Sequence, residues 1–182
     1  MTPGFAGHTL KIMLIPLREL PPEGALFTLA DQSAWLAPIR AFGMKCAVSR
    51  PLVASVSVIP AESGCLARGR LAGTVVLPCN RCAEDASVSL TADFEEFEPL
   101  PEKARENGEE SRIVLRDGVP LLDLDALCWE EFLLALPLAP LCRPDCKGIC
   151  PACGTSLNNG PCACARDGLD PRLAALRGLK MR

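Results

Sequence analysis

Residues 141–164 read LCRPDCKGICPACGTSLNNGPCAC, and this stretch holds six of the eleven cysteines of the chain in three closely spaced pairs. A fourth pair lies upstream, in the sequence Cys-Asn-Arg-Cys of residues 79–82. Zinc binds four soft ligands in a tetrahedron, and closely spaced cysteines supply these ligands two at a time. The spacing therefore predicts one or two zinc ions in closed four-cysteine sites, which stabilise structure and leave no coordination position open for hydrolysis. The predicted ligands are Cys79, Cys82, Cys142, Cys146, Cys150, Cys153, Cys162 and Cys164.

Two ways of dividing the eight cysteines fit this spacing. The first makes one local site from Cys142, Cys146, Cys150 and Cys153, and it leaves Cys162 and Cys164 spare. The second makes one site from Cys79, Cys82, Cys142 and Cys146 and another from Cys150, Cys153, Cys162 and Cys164. We favour the second, because it uses all eight cysteines and joins a hairpin of the predicted sheet to the C-terminal segment.

Three cysteines lie outside the four closely spaced pairs. Cys46, Cys65 and Cys128 lie among apolar residues, so we predict that they are inert core residues. A redox Cys-x-x-Cys pair normally opens a helix after a strand, where the helix dipole lowers the thiol pKa. The pair at 79–82 lies between two strand-like segments instead, which makes a thiol oxidoreductase the weaker alternative.

Length and composition favour one ordinary domain, or one domain with a small module. The chain has 182 residues, of which 49% are hydrophobic, so it can form a core and is not a disordered chain. We find no basic leader region at the N-terminus and no apolar run of membrane-spanning length. We therefore expect a protein of the reducing cytoplasm, where clustered cysteines bind metal more often than they form disulfides.

Charge is distributed unevenly along the chain, although the formal net charge is only −3. Residues 93–110 hold eight acidic and two basic residues, whereas residues 143–182 hold seven basic and three acidic ones. The basic tail is the best candidate for contacts with RNA phosphates. As an alternative, Arg143, Lys147 and Arg166 could screen the thiolates of a zinc site. The candidate RNA contacts are Arg166, Arg172, Arg177, Lys180 and Arg182.

Apolar residues alternate with small or polar ones in several segments, and this period of two predicts an antiparallel sheet. The predicted strands cover residues 10–15, 52–59, 66–77 and 87–97. The Cys-Asn-Arg-Cys pair then lies at the tip of the last hairpin, which is the geometry of a zinc knuckle. Residues 16–43 give no clear pattern.

Helical patterns follow the strands. Residues 123–136 predict an amphipathic helix, capped by Asp123 or Asp125. Its apolar stripe is Leu124, Leu127, Cys128, Phe132 and Leu136. Between the last strand and this helix, residues 98–111 predict a solvated acidic loop. A short last helix is predicted to begin with Asp170 as its N-cap.

These elements together predict an α+β protein, with an antiparallel β-sheet, a packing helix and a C-terminal Cys-rich zinc module. We expect residues 1–140 to form a mainly β domain, with the helix near 123–136. We expect residues 141–182 to form the zinc module and a short C-terminal helix.

Other catalytic constellations are missing from the sequence. His8 is the one histidine of the chain, and its place near the N-terminus is typical of a surface residue. A Ser-His-Asp triad is therefore not credible, and no Gly-rich phosphate-binding motif occurs. The run Glu95, Glu96 and Glu98 predicts a solvated face. We therefore expect no enzymatic activity.

Three stretches of the chain resemble the YceD family, the large ribosomal RNA subunit accumulation proteins. They read LPCNRCAEDASVSL at 77–90, LLDLDALCWEEFLLALPLAPLCRPDCKGICPACGTSLNNGPCAC at 121–164, and DPRLAALRGLK at 170–180. The resemblance implies a non-enzymatic bacterial or organellar factor of ribosome biogenesis, needed for normal accumulation or processing of 23S rRNA. It implies rRNA or the pre-ribosomal large subunit as partner, directly or through ribosomal proteins, with no membrane and no small-molecule substrate.

We hypothesise that zinc fixes the hairpin tip to the segment after Pro140, so that the C-terminal module presents a basic edge to an assembling large subunit. A protein-interaction adaptor that uses the acidic residues 98–111 is the competing interpretation.

Overall fold

A computed structural model gives the fold of the protein, and it describes residues 13–108 and 110–164. Within these ranges the chain forms two antiparallel sheets with helices packed against them, so the predicted α+β class is confirmed. The strands are β1 Leu14–Pro16, β2 Ala25–Leu29, β3 Ala47–Ala61, β4 Gly64–Pro78, β5 Asp85–Pro99, β6 Ile113–Arg116 and β7 Val119–Asp123. The helices are α1 Ser33–Ala41, α2 Pro101–Asn107 and α3 Leu124–Ala135, with single 3₁₀ turns at Leu17–Glu19 and Leu157–Asn159.

The larger sheet has the strand order β2-β3-β4-β5, and β3, β4 and β5 are each 15 residues long. Strands β4 and β5 pair along their whole length, from Gly64 opposite Pro99 to Pro78 opposite Asp85. The strands predicted at 52–59, 66–77 and 87–97 are confirmed, and each is longer than predicted. Their ends carry proline, glycine and charged residues, which obscure the period of two in the sequence although the backbone continues to pair.

The smaller sheet has the order β1-β7-β6 and lies in a part of the chain that the sequence pattern left largely unassigned. Its hairpin turns at Asp117 and Gly118, both of which have positive φ. Two successive residues of positive φ are what a type I′ turn needs, and Asp-Gly supplies them. The strand predicted at 10–15 is described only from residue 13 onward, and β1 begins there at Leu14.

Helix α3 agrees with the helix predicted at 123–136. Its first turn is capped by Asp123, whose Oδ1 accepts a hydrogen bond from the Ala126 N–H at 2.9 Å. The predicted apolar stripe faces the core, and Leu136 is half-buried at its end. Helix α1 brings Trp35 against Phe132 with ring centroids 5.9 Å apart. Helix α3 therefore closes the core over the inner face of the larger sheet.

The segment predicted as a solvated loop at 98–111 is partly ordered. Residues Pro101–Asn107 form α2, because Pro101 suits the first turn of a helix and Gly108 takes the left-handed conformation that ends it. Ala104 of this helix is buried. The prediction of a solvated carboxylate run was also wrong for Glu98, whose side chain is only 1% exposed.

Some predictions fall on residues that the structure does not describe. His8 and the helix predicted from Asp170 lie outside the described residues, as do the five candidate RNA contacts. The division of the chain into 1–140 and 141–182 stays a prediction. Among the described residues, no helix has both the length and the apolar character that a membrane span requires.

Arg112 stabilises the end of β5 by pairing with a buried carboxylate. Its Nη1 donates to Oε1 of Glu98 at 2.5 Å, and its backbone N–H donates to Oε2 of the same residue at 3.2 Å. The guanidinium also pairs with Glu130 of α3. Arg112 thus connects Glu98, near the C-terminal end of β5, to helix α3, which covers the core.

The Arg112→Met substitution should lower the free energy of unfolding by about 3 kcal/mol, because it leaves Glu98 buried without its cation. Urea denaturation of both proteins measures this loss. The matched control is Arg68→Met, which removes an exposed pair with Glu95 and should cost about 1 kcal/mol or less. Equal losses in the two variants would contradict a buried ion pair at Glu98.

Glu131 interrupts the buried stripe of α3 with an acidic residue that is only 9% exposed. Burial raises the pKa of this carboxyl, and the nearby charge of Glu96 raises it further. The folded protein therefore holds the Glu131 proton more tightly than the unfolded chain does, and ionised Glu131 is a destabilising group.

The Glu131→Gln variant should consequently be more stable than the parent protein at neutral pH. The destabilisation by ionised Glu131 is absent below the unfolded carboxyl pKa of about 4.5, because the carboxyl is then protonated in both states. It grows as the pH rises above this value and is complete above the higher folded pKa. Thermal unfolding of both proteins at a series of pH values measures the difference, which should shrink toward zero in acid. A variant that is less stable than the parent at neutral pH would show that the Glu131 charge is already compensated.

Candidate metal centre

The first cysteine pair lies in the tight turn that joins β4 to β5. The Cys79 N–H donates to the Glu84 carbonyl at 2.7 Å, and the Ala83 N–H donates to the Cys79 carbonyl at 2.9 Å. Ala83 completes the turn with a φ of 60°, in the left-handed region that a non-glycine residue seldom adopts. The turn brings the sulfurs of Cys79 and Cys82 into one cluster.

The partners of this pair come from the chain that follows α3. The Asn80 N–H donates to the Pro140 carbonyl at 2.7 Å, and Nη1 of Arg81 donates to the Cys146 carbonyl at 2.8 Å. Gly148 has a φ of +75°, and a Cβ there would lie 3.1 Å from the Arg81 carbonyl oxygen. One backbone and one side-chain hydrogen bond therefore hold the hairpin tip against residues 140–148, in addition to any bond through the sulfurs.

The four sulfurs of the first cluster have the spacing of a single tetrahedral ion. The cluster, which we call site 1, consists of Cys79, Cys82, Cys142 and Cys146, whose Sγ atoms all lie within 4.8 Å of one another. The Cys79–Cys146 and Cys82–Cys142 separations are 3.8 and 3.5 Å. Metal–sulfur bonds of about 2.3 Å place tetrahedral sulfurs roughly 3.8 Å apart, whereas a disulfide needs about 2.0 Å. These residues therefore fit one closed four-thiolate site.

Site 1 is shielded from solvent and receives hydrogen bonds from its surroundings. Cys79, Cys82 and Cys146 are buried. Nδ2 of Asn158 lies 3.4 Å from the Cys146 sulfur, and this contact lowers the pKa of that thiol. Burial opposes ionisation of Cys79, but N–H donors of the backbone outweigh it and lower the pKa of this thiol to about 6.

The pKa values of the other two thiols of site 1 are raised. Burial and the neighbouring sulfurs raise the pKa of Cys82 to about 12, and burial also raises the pKa of Cys142. Four sulfurs this close can all be ionised together only when a cation offsets their mutual repulsion. The cluster thus has the electrostatics expected of a site for a divalent ion.

The second cluster, which we call site 2, consists of Cys150, Cys153, Cys162 and Cys164, again with all Sγ atoms within 4.8 Å. The Cys150 N–H donates to the Thr155 carbonyl at 2.9 Å, and the Gly154 N–H donates to the Cys150 carbonyl at 2.8 Å. Gly154 has a φ of +72°, which explains why glycine follows Cys153. These two hydrogen bonds close a tight turn over the Cys-Pro-Ala-Cys-Gly sequence of residues 150–154.

Site 2 is more open than site 1. Cys150 is buried, whereas Cys153 is exposed and the other two cysteines are half-buried. The Thr155 hydroxyl and N–H lower the pKa of Cys153 to about 6, while the hydrogen bond with Cys153 and burial raise the pKa of Cys164 to about 12. Site 2 therefore has the same electrostatic need for a cation, with less protection from solvent.

The two sites share a structural connection through Asn158. Its Oδ1 accepts a hydrogen bond from the Lys147 N–H at 2.8 Å, and its amide group lies against the sulfurs of site 1. The neighbouring Leu157 N–H donates to the Gly148 carbonyl at 2.8 Å. The 3₁₀ turn at Leu157–Asn159, which links the two halves of site 2 in sequence, is thus built onto site 1.

The sequence prediction placed the eight sulfurs in the groups that the structure forms, according to the second of the two divisions. Asn158 and Arg81 were not singled out, because an isolated amide or guanidinium carries no spacing signal. Cys65 and Cys128 lie buried in the core, and burial raises the pKa of each thiol to about 12. Cys46 is half-buried and belongs to neither site.

The geometry gives little support to a redox role for Cys79 and Cys82. Their turn leads into β5 and not into a helix, so no helix dipole acts on either thiol. Each of the two sulfurs also contacts a sulfur from the segment after α3, Cys146 at 3.8 Å from Cys79 and Cys142 at 3.5 Å from Cys82.

Residues 67–180, which include both cysteine sites, match the family model described as Large ribosomal RNA subunit accumulation protein YceD. The chain belongs to the YceD family. This match confirms the resemblance drawn from the three motif stretches. No solved structure matches the chain.

Relatives of this YceD-family chain occur in mycobacteria and in a plant. An uncharacterized protein of Mycobacterium tuberculosis is 32% identical over 115 residues, which cover 63% of this chain and 55% of the relative. An uncharacterized protein of Mycobacterium leprae is 33% identical over 112 residues, covering 58% and 50%. The Arabidopsis thaliana protein named Large ribosomal RNA subunit accumulation protein YCED homolog 1, chloroplastic, is 25% identical over 156 residues, covering 71% and 49%. The matched region thus spans about half the length of these relatives.

Protein purified without added metal should carry two equivalents of a thiophilic divalent ion, one at each site. Replacing Cys79 and Cys82 together by Ser should remove one equivalent, and replacing Cys150 and Cys153 should remove the other. Elemental analysis and chelator-dependent thiol titration measure both losses. We expect the site 1 variant to melt at the lower temperature, because only site 1 joins the hairpin to the C-terminal segment.

The matched control for metal content is Cys46→Ser, which should retain both equivalents because Cys46 lies in neither cluster. Unchanged metal content in either double variant would show that the corresponding site holds no ion.

Proposed function

We propose that this protein is a non-enzymatic factor of large ribosomal subunit biogenesis, which supports the accumulation or processing of 23S rRNA and uses zinc at sites 1 and 2 as a structural element. The observation that carries this proposal is the family match over residues 67–180, which contains all eight clustered cysteines. The plant relative bears the same description in its name.

The choice of zinc rests on the chemistry of the donor sets. Four thiolates suit zinc or iron–sulfur centres among the common biological metals. Sulfurs that all lie within 4.8 Å of one another leave room for one ion, not for a cluster of several iron and sulfide ions. Both sites offer four protein ligands, so a bound zinc would have no open position, and its role would be structural.

A zinc ion at site 1 would connect two parts of the chain that are far apart in sequence. It would join the β4–β5 turn to residues that follow α3, where the backbone contacts at Asn80 and Arg81 already align the two segments. Site 2 would then order the segment that leads to the basic tail. We propose that Arg166, Arg172, Arg177, Lys180 and Arg182 of this tail contact rRNA phosphates.

The distribution of charge along the chain supports an RNA contact through the basic tail. Strand β5 carries five carboxylates and no basic residue, which disfavours contact with a polyanion, and the surplus of basic residues follows site 2. Near site 1, Arg143 lies 3.8 Å from Asp145, so its charge is partly offset. We propose rRNA or the pre-ribosomal large subunit in the cytoplasm as the partner, with direct or protein-mediated contact.

Deleting the gene should lower the ratio of 23S to small-subunit rRNA, because assembling large subunits that lack the factor are degraded or remain unprocessed. Quantitative RNA analysis measures this ratio and the precursor level. Expression of the parent protein should restore the ratio, whereas the site 1 double serine variant should not. Replacement of the five basic tail residues by Gln should restore it only in part, because phosphate contacts are lost.

The Cys46→Ser variant serves as the control and should restore the ratio fully. An unchanged 23S ratio in the deletion strain would contradict the proposed function. Full restoration of the ratio by the tail variant would show that the five basic residues are not needed, while the proposed role in biogenesis would still hold.

A further inference from the structure

Strand β5 presents a long free edge. It is the last strand of the larger sheet, and no strand within residues 13–108 and 110–164 pairs with its outer side. The strand is 15 residues long, so roughly half of its N–H and C=O groups point away from β4. The strand at the opposite edge, β2, has only five residues. An edge of this length can accept an added strand from another protein.

Carboxylates lie on both faces of this edge. On the outer face, Asp93 and Glu95 are each paired with an arginine of β4 at 2.6 Å. On the inner face, Glu96 and Glu98 occupy alternate positions beside α3. Glu98 is satisfied by Arg112, but Glu96 makes no ion pair within the described residues. The inner side of the edge therefore has negative charge that the described residues do not neutralise.

Glu131 is the most unusual member of this group. It is only 9% exposed, and the described part of the chain provides it with neither a hydrogen bond nor an ion pair. Glu96, Glu98 and Glu130 all act on it electrostatically, and Arg112 is the cation that opposes them. That guanidinium already binds Glu98 and Glu130. An unpaired carboxylate on a residue with so little exposed surface is costly to ionise, and a basic side chain entering beside Glu96 would relieve the cost.

We propose that the free edge of β5 docks an extended, lysine- or arginine-rich segment of a partner protein. The segment adds a strand beside β5, so that its backbone pairs with the outward N–H and C=O groups. A basic side chain on its inner face meets Glu96 and Glu131. The strand pairing supplies affinity that tolerates sequence variation, and the carboxylates select for positive charge.

The same charges argue against two other occupants. A second copy of this chain pairing through β5 would bring a further set of carboxylates to an edge that already has a surplus. An RNA strand would meet the same repulsion. The inference goes beyond the proposed role in rRNA accumulation, because it uses neither the cysteine sites nor the basic tail.

The first test uses the metal-loaded full chain and a fluorescent, end-capped peptide of alternating lysine and valine, about as long as β5. Fluorescence anisotropy should show binding that weakens with salt, and hydrogen exchange should show that the peptide slows alternate amides of β5. The same peptide with alternate backbone N-methyl groups keeps its charge but cannot pair as a strand, so it should bind at least about tenfold more weakly.

The second test uses the double variant with Glu96→Gln and Glu131→Gln, which should bind the lysine peptide about tenfold more weakly or worse. The matched control is Glu102→Gln with Glu110→Gln, which removes the same charge from exposed positions outside β5 and should change the affinity little. A peptide with glutamate in place of lysine should not bind.

Several results would overturn the proposal. One is that the lysine peptide does not bind, and another is that its N-methylated form binds equally well. A third is that the two double variants lose the same affinity for the peptide. Slowed hydrogen exchange of the β5 amides at higher protein concentration, without peptide, would show that the edge pairs with a second copy of the chain. Slowed exchange of the same amides by an rRNA fragment would assign the edge to RNA instead. None of these readouts depends on 23S rRNA levels, so this inference and the proposed function fail separately.

Discussion

Four sulfurs, two at the tip of the β4–β5 hairpin and two after α3, meet although they are 60 to 67 residues apart in the chain. The described residues that follow α3 depend on this contact, because residues 140–164 contain one isolated bridge and one 3₁₀ turn as their regular structure. A segment with so little secondary structure and so small an apolar core cannot offset its loss of conformational entropy by packing alone. Metal–thiolate bonds supply the missing stabilisation in small modules of this kind.

The position of site 1 also explains why the two cysteine clusters differ. Site 1 lies between the hairpin and the segment after Pro140, so protein covers it from both directions. Site 2 is formed entirely by residues 150–164, and Cys150 is the one buried cysteine among its four. The first belongs to the body of the fold, whereas the second orders a peripheral segment that is attached to the body through Asn158.

Much of this arrangement could be predicted from the sequence, because its signals are local. Paired cysteines at short spacing, strands with a period of two and a capped helix each depend on neighbours within a few residues. The smaller sheet was missed, although Asp117-Gly118 is a typical hairpin turn, because its strands are only three to five residues long. The burial of Glu98 and Glu131 could not be predicted, since it depends on which strand and helix meet in the folded protein. Helix α2 was missed because it has only seven residues and lies in an acidic segment with Pro and Gly that resembles a loop.

The length of the β4–β5 hairpin has a mechanical consequence. Fifteen paired residues span about 50 Å, with the four sulfurs at one end and the Glu98–Arg112 ion pair at the other. A two-stranded ribbon under load ordinarily opens from an end, one pair of residues at a time. At the tip the turn itself closes the hairpin, and at the other end separation of β5 would expose the buried Glu98–Arg112 pair. A metal ion at site 1 would therefore link the segment after α3 to one end of a hairpin whose other end is already joined to α3 through Arg112.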